Sequence, residues 1–246
     1  MPGELVTYQS VDGVAVITIN RPDKLNALNK DVGDELRAAW ERLNDGDDRV
    51  AILTGAGDRA FSVGADLQAP PDIWPFAPGI GVEVEKPIIA AVNGWCIGGA
   101  AVLAMCADLC VATENARFSY PEAKIGFSGG LISAIVARIP HKVAMEFILL
   151  GDDLTAQRAY EVGFVNKVVP PGEHMAAAMD YADKLKANAP LVLAMLKRFA
   201  GRVLPKGPSE LGGIARRDVE HVNASDDFKE GVAAFREKRP PSFTGS

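Results

Sequence analysis

The chain reads as an α/β domain with a helical extension at its C-terminal end. Three observations carry that reading. Short strand-like runs rich in β-branched residues alternate with amphipathic helical segments through the first half. After Ile125 helical patterns dominate, and a lone strand pattern, Val165–Val169, interrupts them. With 246 residues, 48% of them hydrophobic, there is material for a sizeable core.

The elements follow in order. Val6 to Asn20 is a predicted hairpin, because alternating residues flank Asp12-Gly13, a tight-turn pair. Val32, Leu36, Trp40 and Leu43 share one face of a helix from about Asp31 to Leu43, which Asn44-Asp45-Gly46 ends. Val50 to Thr54 is a buried strand closed by Gly55-Ala56-Gly57. From Gln68 to Gly81, Pro70, Pro71, Pro75 and Pro78 break any ladder, so this stretch reads as an irregular surface loop anchored by Trp74 and Phe76. Ile88–Val92 is a further central strand and Gly99–Ala107 a helix; Leu109–Thr113 and Arg117–Tyr120 are short strands. Helices are predicted at Lys142–Leu150, Ala156–Val162, Glu173–Ala187, Leu191–Val203, Ser209–Asn223 and Phe228–Glu237. A soft boundary near Pro190 divides a core, residues 1–189, from a helical region, residues 190–246.

Composition excludes several functions. The net charge is −6, with no basic block, which argues against nucleic-acid binding. The N-terminal MPGELVTYQS lacks the charged and apolar regions of a signal peptide. Pro87 to Ala107 is free of charge and long enough to span a bilayer. Asn93, Gly94, Gly98 and Gly99 interrupt it, however, so it reads as a buried strand, turn and helix and no membrane span is expected. Cys96, Cys106 and Cys110 form no disulfide or zinc pattern and suit small buried thiols in a reducing, cytoplasmic setting. His141, His174 and His221 have no motif partner, and no metal is expected.

Two glycine-containing turns follow buried strands: Phe61-Ser62-Val63-Gly64-Ala65-Asp66-Leu67 and Asn93-Gly94-Trp95-Cys96-Ile97-Gly98-Gly99-Ala100. Glycine lets a ligand approach the backbone closely. In the second turn the glycines open a helix, whose first amides lack intrahelical acceptors and attract negative charge. Such amides could hold the oxyanion that forms when a thioester loses an α-proton, and tight strand–helix packing would explain the same glycines equally well. Neither a GxGxxG fingerprint nor a Gly-Lys-Ser/Thr phosphate loop is present.

Further motifs sit at fixed places: Asn20-Arg21-Pro22-Asp23-Lys24-Leu25-Asn26-Ala27-Leu28, Gly64-Ala65-Asp66, Lys86-Pro87 through Asn93-Gly94, Pro121-Glu122, and Phe235-Arg236-Glu237-Lys238-Arg239. In this order and spacing the chain resembles the enoyl-CoA hydratase/isomerase (crotonase) family over nearly its whole length. The resemblance implies a crotonase-like spiral of repeated ββα units, with the C-terminal helices joining subunits into a homotrimer or a dimer of trimers. It implies an oxyanion hole made by the N–H groups of Ala65 and Gly99, with Glu122 as acid/base. The acyl-CoA substrate would contact Lys24, Leu25, Ala27, Val63, Asp66, Leu67, Gly98, Pro121 and Gly130, and Phe235 and Lys238 of a neighbouring subunit would close over the nucleotide end. Arg21, Lys24 and Lys238 are candidates for the coenzyme A phosphates. Coenzyme A is part of the substrate, so no separate cofactor is expected. Asp66 reads as a turn-stabilising acceptor.

The chain also departs from the family pattern. Hydratases of the family use two glutamates; here the first position is Val102, and only Glu122 remains. One carboxylate can move a proton between two carbons, the pattern of the family's Δ3,Δ2-enoyl-CoA isomerases, whereas hydration calls for a second group to handle water. Glu122 is expected in a largely apolar pocket that raises its pKa. The run after it, Gly126 to Leu131, lacks both the usual hydratase sequence and the Asp of dienoyl isomerases. Asp72, Glu83 and Glu85, in the loop from Leu67 to Glu85, are candidate replacement acids. An isomerase-like shift is thus the favoured activity, with a hydratase or dehydratase using a replacement carboxylate, or a non-catalytic acyl-CoA-binding protein, as alternatives.

Overall fold

The computed structural model describes residues 4–246; Met1 to Gly3, part of the N-terminal stretch read above for a signal peptide, lie outside the described residues. The predicted hairpin is present as β1 (Val6–Val11) and β2 (Val14–Ile19), with Asp12 and Gly13 both at positive φ in the turn. Helix α1 (Lys30–Asp45) starts where the Asn29 side chain accepts from the Val32 N–H, and it buries Val32, Leu36, Trp40 and Leu43. The remaining strands of the first sheet are β3 (Val50–Gly55), β5 (Ile88–Val92), β7 (Leu109–Thr113) and β10 (Lys167–Val169). The sheet order is β1-β2-β3-β5-β7-β10, parallel except for the hairpin. Every residue of β5 is buried, as expected of a parallel strand covered on both faces.

Three short strands that periodicity does not reveal build a second sheet: β4 (Ala60–Ser62), β6 (Trp95–Ile97) and β9 (Leu154–Thr155), with β8 (Arg117–Ser119). Its order is β4-β6-β8-β9. Each of β4, β6 and β8 follows a long strand of the first sheet after a turn, so the chain steps repeatedly from one sheet to the other. Helix α2 (Gly99–Cys106) follows β6, and α3 (Glu122–Ile125) follows β8. The charge-free run from Pro87 is therefore strand, turn, strand and helix, and no helix among the described residues is long and apolar enough to cross a membrane.

The second half holds α4 (His141–Leu150), α5 (Ala156–Glu161), α6 (His174–Lys186), α7 (Pro190–Val203), α8 (Pro208–Ala224) and α9 (Asp226–Glu237). Ala177, Ala178 and Ala182 of α6 pack on Val50, Ile52, Ile89 and Val111, covering one face of the first sheet. The other face carries the main core with α1 and α2. The proline-rich stretch is not wholly irregular: Trp74–Phe76 forms a 3₁₀ turn, and Phe76 is buried against Gly33 of α1, where an added Cβ would stand 2.6 Å from the ring.

Candidate active site

Backbone geometry brings the two glycine turns together. Gly64 adopts φ +79°, and a Cβ built there would stand 3.1 Å from the Gly99 nitrogen, so the segment carrying Ala65 lies directly against the start of α2. Gly99 is the first residue of α2, and neither its N–H nor that of Ala65 finds a backbone acceptor among the described residues. Asp66 and Leu28 hold the first turn, through Asp66 N–H to Leu28 O at 2.7 Å and Leu28 N–H to Gly64 O at 2.8 Å.

Glu122 opens α3 directly after Pro121, and Gly126 ends that helix in the left-handed conformation. Its side chain is buried beside Gly98, which sits at φ +58°; a Cβ on Gly98 would stand 2.6 Å from Glu122 Oε1. Glycine is needed there twice over, for the dihedral and for the carboxyl's approach. Glu122 Oε2 is buried with no hydrogen-bond partner. Burial without a compensating donor pushes the carboxyl up from 4.5 to about 7, and a backbone hydrogen bond to Glu122's own N–H opposes this only in part.

Two cavities meet at Ala65, Glu122 and Phe127. The outer one, about 360 Å³, is lined by Ala27, Val63, Asp66, Leu67, Gly98 and Pro121 among others. The inner one, about 310 Å³, adds Gly99, Val102, Tyr120, Ser128 and residues of α8. Val102 lies one turn along α2 from Gly99, so an apolar side chain occupies the place where a second carboxylate would face the cavity.

Apolar and glycine residues predominate around the inner cavity, in keeping with the expectation from sequence, but polar side chains reach it as well. Asp72, Tyr120, Ser128, Ser209 and Arg216 line it beside Ile73, Trp74, Phe127 and Leu131. Tyr120 and Ser128 share a hydrogen bond of 3.1 Å. Of the three candidate replacement acids, Asp72 alone reaches this cavity. Glu83 and Glu85 line a separate one of about 770 Å³, where Glu85 pairs with Arg198 at 2.7 Å.

Other candidates take different places. Arg21 is engaged within the turn: its guanidinium donates to Ala27 O at 2.6 Å and pairs with Asp66 at 3.4 Å. Asn26 is buried and donates to Ala56 O and Ala60 O, which holds the same turn at positive φ. Lys24 and Leu25, at the end of a 3₁₀ turn just before it, do not line the outer cavity. Gly130 caps the 3₁₀ segment Leu131–Ala137 and contacts Ser209 of α8. Phe235, 87% exposed, and Lys238 lie at the end of α9 outside both cavities.

Sequence reasoning missed the wall supplied by α8. Ser209, Gly212, Gly213 and Arg216 follow helical spacing and form one face. Gly213 packs so closely on Trp74 and Ile80 that an added Cβ would stand 2.6 Å from Ile80 and 3.3 Å from Trp74. Glu210, buried, anchors the helix by pairing with Arg138 at 2.8 Å and accepting from the Gly207 N–H.

The pattern described as Enoyl-CoA hydratase/isomerase matches residues 9–71 and 82–246. An (E)-benzylidenesuccinyl-CoA hydratase of Thauera aromatica is 36% identical, with 98% of this chain and 99% of that protein covered. A carnitinyl-CoA dehydratase of Salmonella typhi is 37% identical over 93% of this chain and 94% of its own. Among solved structures, an enoyl-CoA hydratase of Mycobacterium tuberculosis H37Rv superposes with a TM-score of 0.77 at 37% identity, covering 99% of this chain and all of that one.

Proposed function

The chain belongs to the enoyl-CoA hydratase/isomerase (crotonase) family, and from that premise and the geometry above we propose that it binds an acyl-CoA thioester and shifts its double bond with Glu122 as the single acid/base. The observation that carries this is the pairing of Glu122, buried beside the free N–H groups of Ala65 and Gly99, with Val102 where a second carboxylate would stand. In the proposed reaction the Glu122 carboxylate takes a proton from C2 of a 3-enoyl thioester. The electron pair moves into a dienolate, whose oxygen the two N–H groups hold. The protonated Glu122 then returns the proton to C4, leaving a 2-enoyl thioester and the carboxylate. The outer cavity takes the pantetheine arm and the inner cavity the acyl group.

A second reading, hydration or dehydration, draws support from the names of the two relatives and from Asp72, which lines the same cavity as Glu122. Assaying wild type, Glu122→Gln and Asp72→Asn with both 3-enoyl and 2-enoyl thioesters separates the two. The single-base reading expects double-bond migration in wild type and Asp72→Asn, and none in Glu122→Gln. Brisk hydration that Asp72→Asn abolishes would replace it with the second reading.

A further inference from the structure

We propose that Arg216 makes the inner cavity selective for acyl groups that carry a carboxylate at the far end, that is, half-thioesters of dicarboxylic acids. This rests on the reading of the inner cavity as the acyl site.

Charge balance inside the cavity motivates it. The ionisable acid and base side chains lining it, apart from the Tyr120 phenol, are Glu122, Asp72 and Arg216. Glu122 sits among the reacting groups, and desolvation holds a fraction of it neutral near neutral pH. Arg216 makes no ion pair and no hydrogen bond among the described residues, although its neighbour Arg217 pairs with Asp218. Its guanidinium stands 5.8 Å from the Trp74 ring centroid, and the Trp74 indole N–H is buried with no acceptor. Arg216 is exposed to solvent and carries a charge that no carboxylate among the described residues pairs with, and with the orphaned Trp74 N–H it puts two donors on a cavity that an ordinary fatty-acyl chain would fill with hydrocarbon alone. An Arg fork suits a carboxylate.

The wall is also built to stay in place. Gly213, one turn before Arg216, lets α8 close tightly on Trp74 and Ile80, and the Glu210–Arg138 pair anchors the start of the same helix. Asp72, Ile73 and Trp74 form the part of the cavity wall that faces α8. The alternative role for Arg216 is stacking on Trp74 to steady α8, which would affect stability without affecting ligand choice.

The test measures binding without turnover. Dissociation constants of succinyl-, glutaryl- and adipyl-CoA are compared with those of butyryl-, valeryl- and hexanoyl-CoA by titration calorimetry on the intact protein. Wild type is expected to favour at least one carboxylate-bearing thioester over its uncharged counterpart by about tenfold, with the ratio falling as salt rises. Arg216→Gln should bring the ratio close to one, Arg216→Lys should keep part of it, and Asp72→Asn should widen it by removing the opposing charge. No preference in wild type, a preference that survives Arg216→Gln, or a preference lost in Asp72→Asn would each overturn the proposal while leaving the acyl-CoA reading intact. Failure of every thioester to bind wild type would overturn the acyl-CoA reading itself.

Discussion

Replacing Glu122 by glutamine tests the proposed chemistry and its electrostatics together. The amide keeps the shape but cannot take a proton, so activity should fall by at least about a thousandfold. Wild-type kcat/KM should rise with pH and level off above about 7, because the base works ionised. Stability should respond in the opposite sense. The folded carboxyl titrates near 7 and the unfolded one near 4.5, so between those values the folded protein holds a proton that the unfolded chain has released. The neutral carboxyl's full stability is present below about 4.5 and is lost as pH rises through about 7. The difference corresponds to about 3 kcal/mol at most, and solvent screening of this incompletely desolvated group reduces it to about 1–2 kcal/mol. Glutamine never ionises, so Glu122→Gln should melt higher than wild type by roughly 3–6 °C near pH 8 and by almost nothing near pH 5. Calorimetric scans of both proteins at the two pH values read this directly. An offset that is the same at both, or a variant that retains activity, would refute the picture of a desolvated sole base.

Gly98→Ala should lose most of its activity, because the new methyl would meet Glu122 Oε1 at 2.6 Å and the residue must hold φ +58°; the strain costs about 1–2 kcal/mol, visible as a lower Tm. Val102→Glu should add only weak hydration, measured with 2-enoyl thioesters, since an unpaired carboxyl in that wall costs several kcal/mol to ionise and stays largely protonated. Lys24→Ala should weaken coenzyme A thioesters about threefold while sparing pantetheine thioesters that lack the nucleotide; equal losses would remove Lys24 from the site. Leu191 and Val203 on α7 are 84% and 81% exposed, with Leu196 and Phe199 also outward, so sedimentation at micromolar concentration should show an oligomer and Leu191→Asp should shrink it.

Much of this architecture can be read from the residues because its signals are local. The β-branched runs of β2, β3 and β5 and the apolar face of α1 each carry their own periodicity. The short strands β4, β6 and β9 carry none: two or three residues cannot display a period, and their pairing is decided by the turns that precede them. Within the site, Gly98 and Glu122 stand out as residue types that suit the chemistry, whereas the wall formed by α8 does not. The helix was evident from sequence, but the direction its Ser209–Arg216 face takes depends on Gly213 closing on Trp74. One signal could have flagged it: adjacent Gly212 and Gly213 cost a helix interior about 1 kcal/mol each, a burden that close packing explains. The contacts of Arg21 are hidden in the sequence for a related reason. A lone arginine near a binding turn looks free until Ala27 O and Asp66 are seen to engage it.

The absence of a second carboxylate and the elevated pKa of the first are two sides of one arrangement. A residue that removes a proton at one carbon and returns it at another must serve as base and then as acid within a single turnover. A carboxyl titrating near 4.5 would make a weak base and be reluctant to hold the proton long enough to hand it on; one titrating near 7 is suited to both halves. Val102 is one of the apolar side chains lining the inner cavity beside Glu122. A second carboxylate on that turn of α2 would place like charge beside Glu122 and draw water into the cavity, and its effect on Glu122 would depend on which of the two held the proton. With valine there, desolvation outweighs the opposing backbone hydrogen bond in setting the poise of Glu122, and in the proposed chemistry the unpartnered Oε2 is left for the substrate's proton. In the proposed chemistry, then, valine at position 102 narrows the reaction to proton transfer and leaves the glutamate that performs it without a like-charged neighbour on α2.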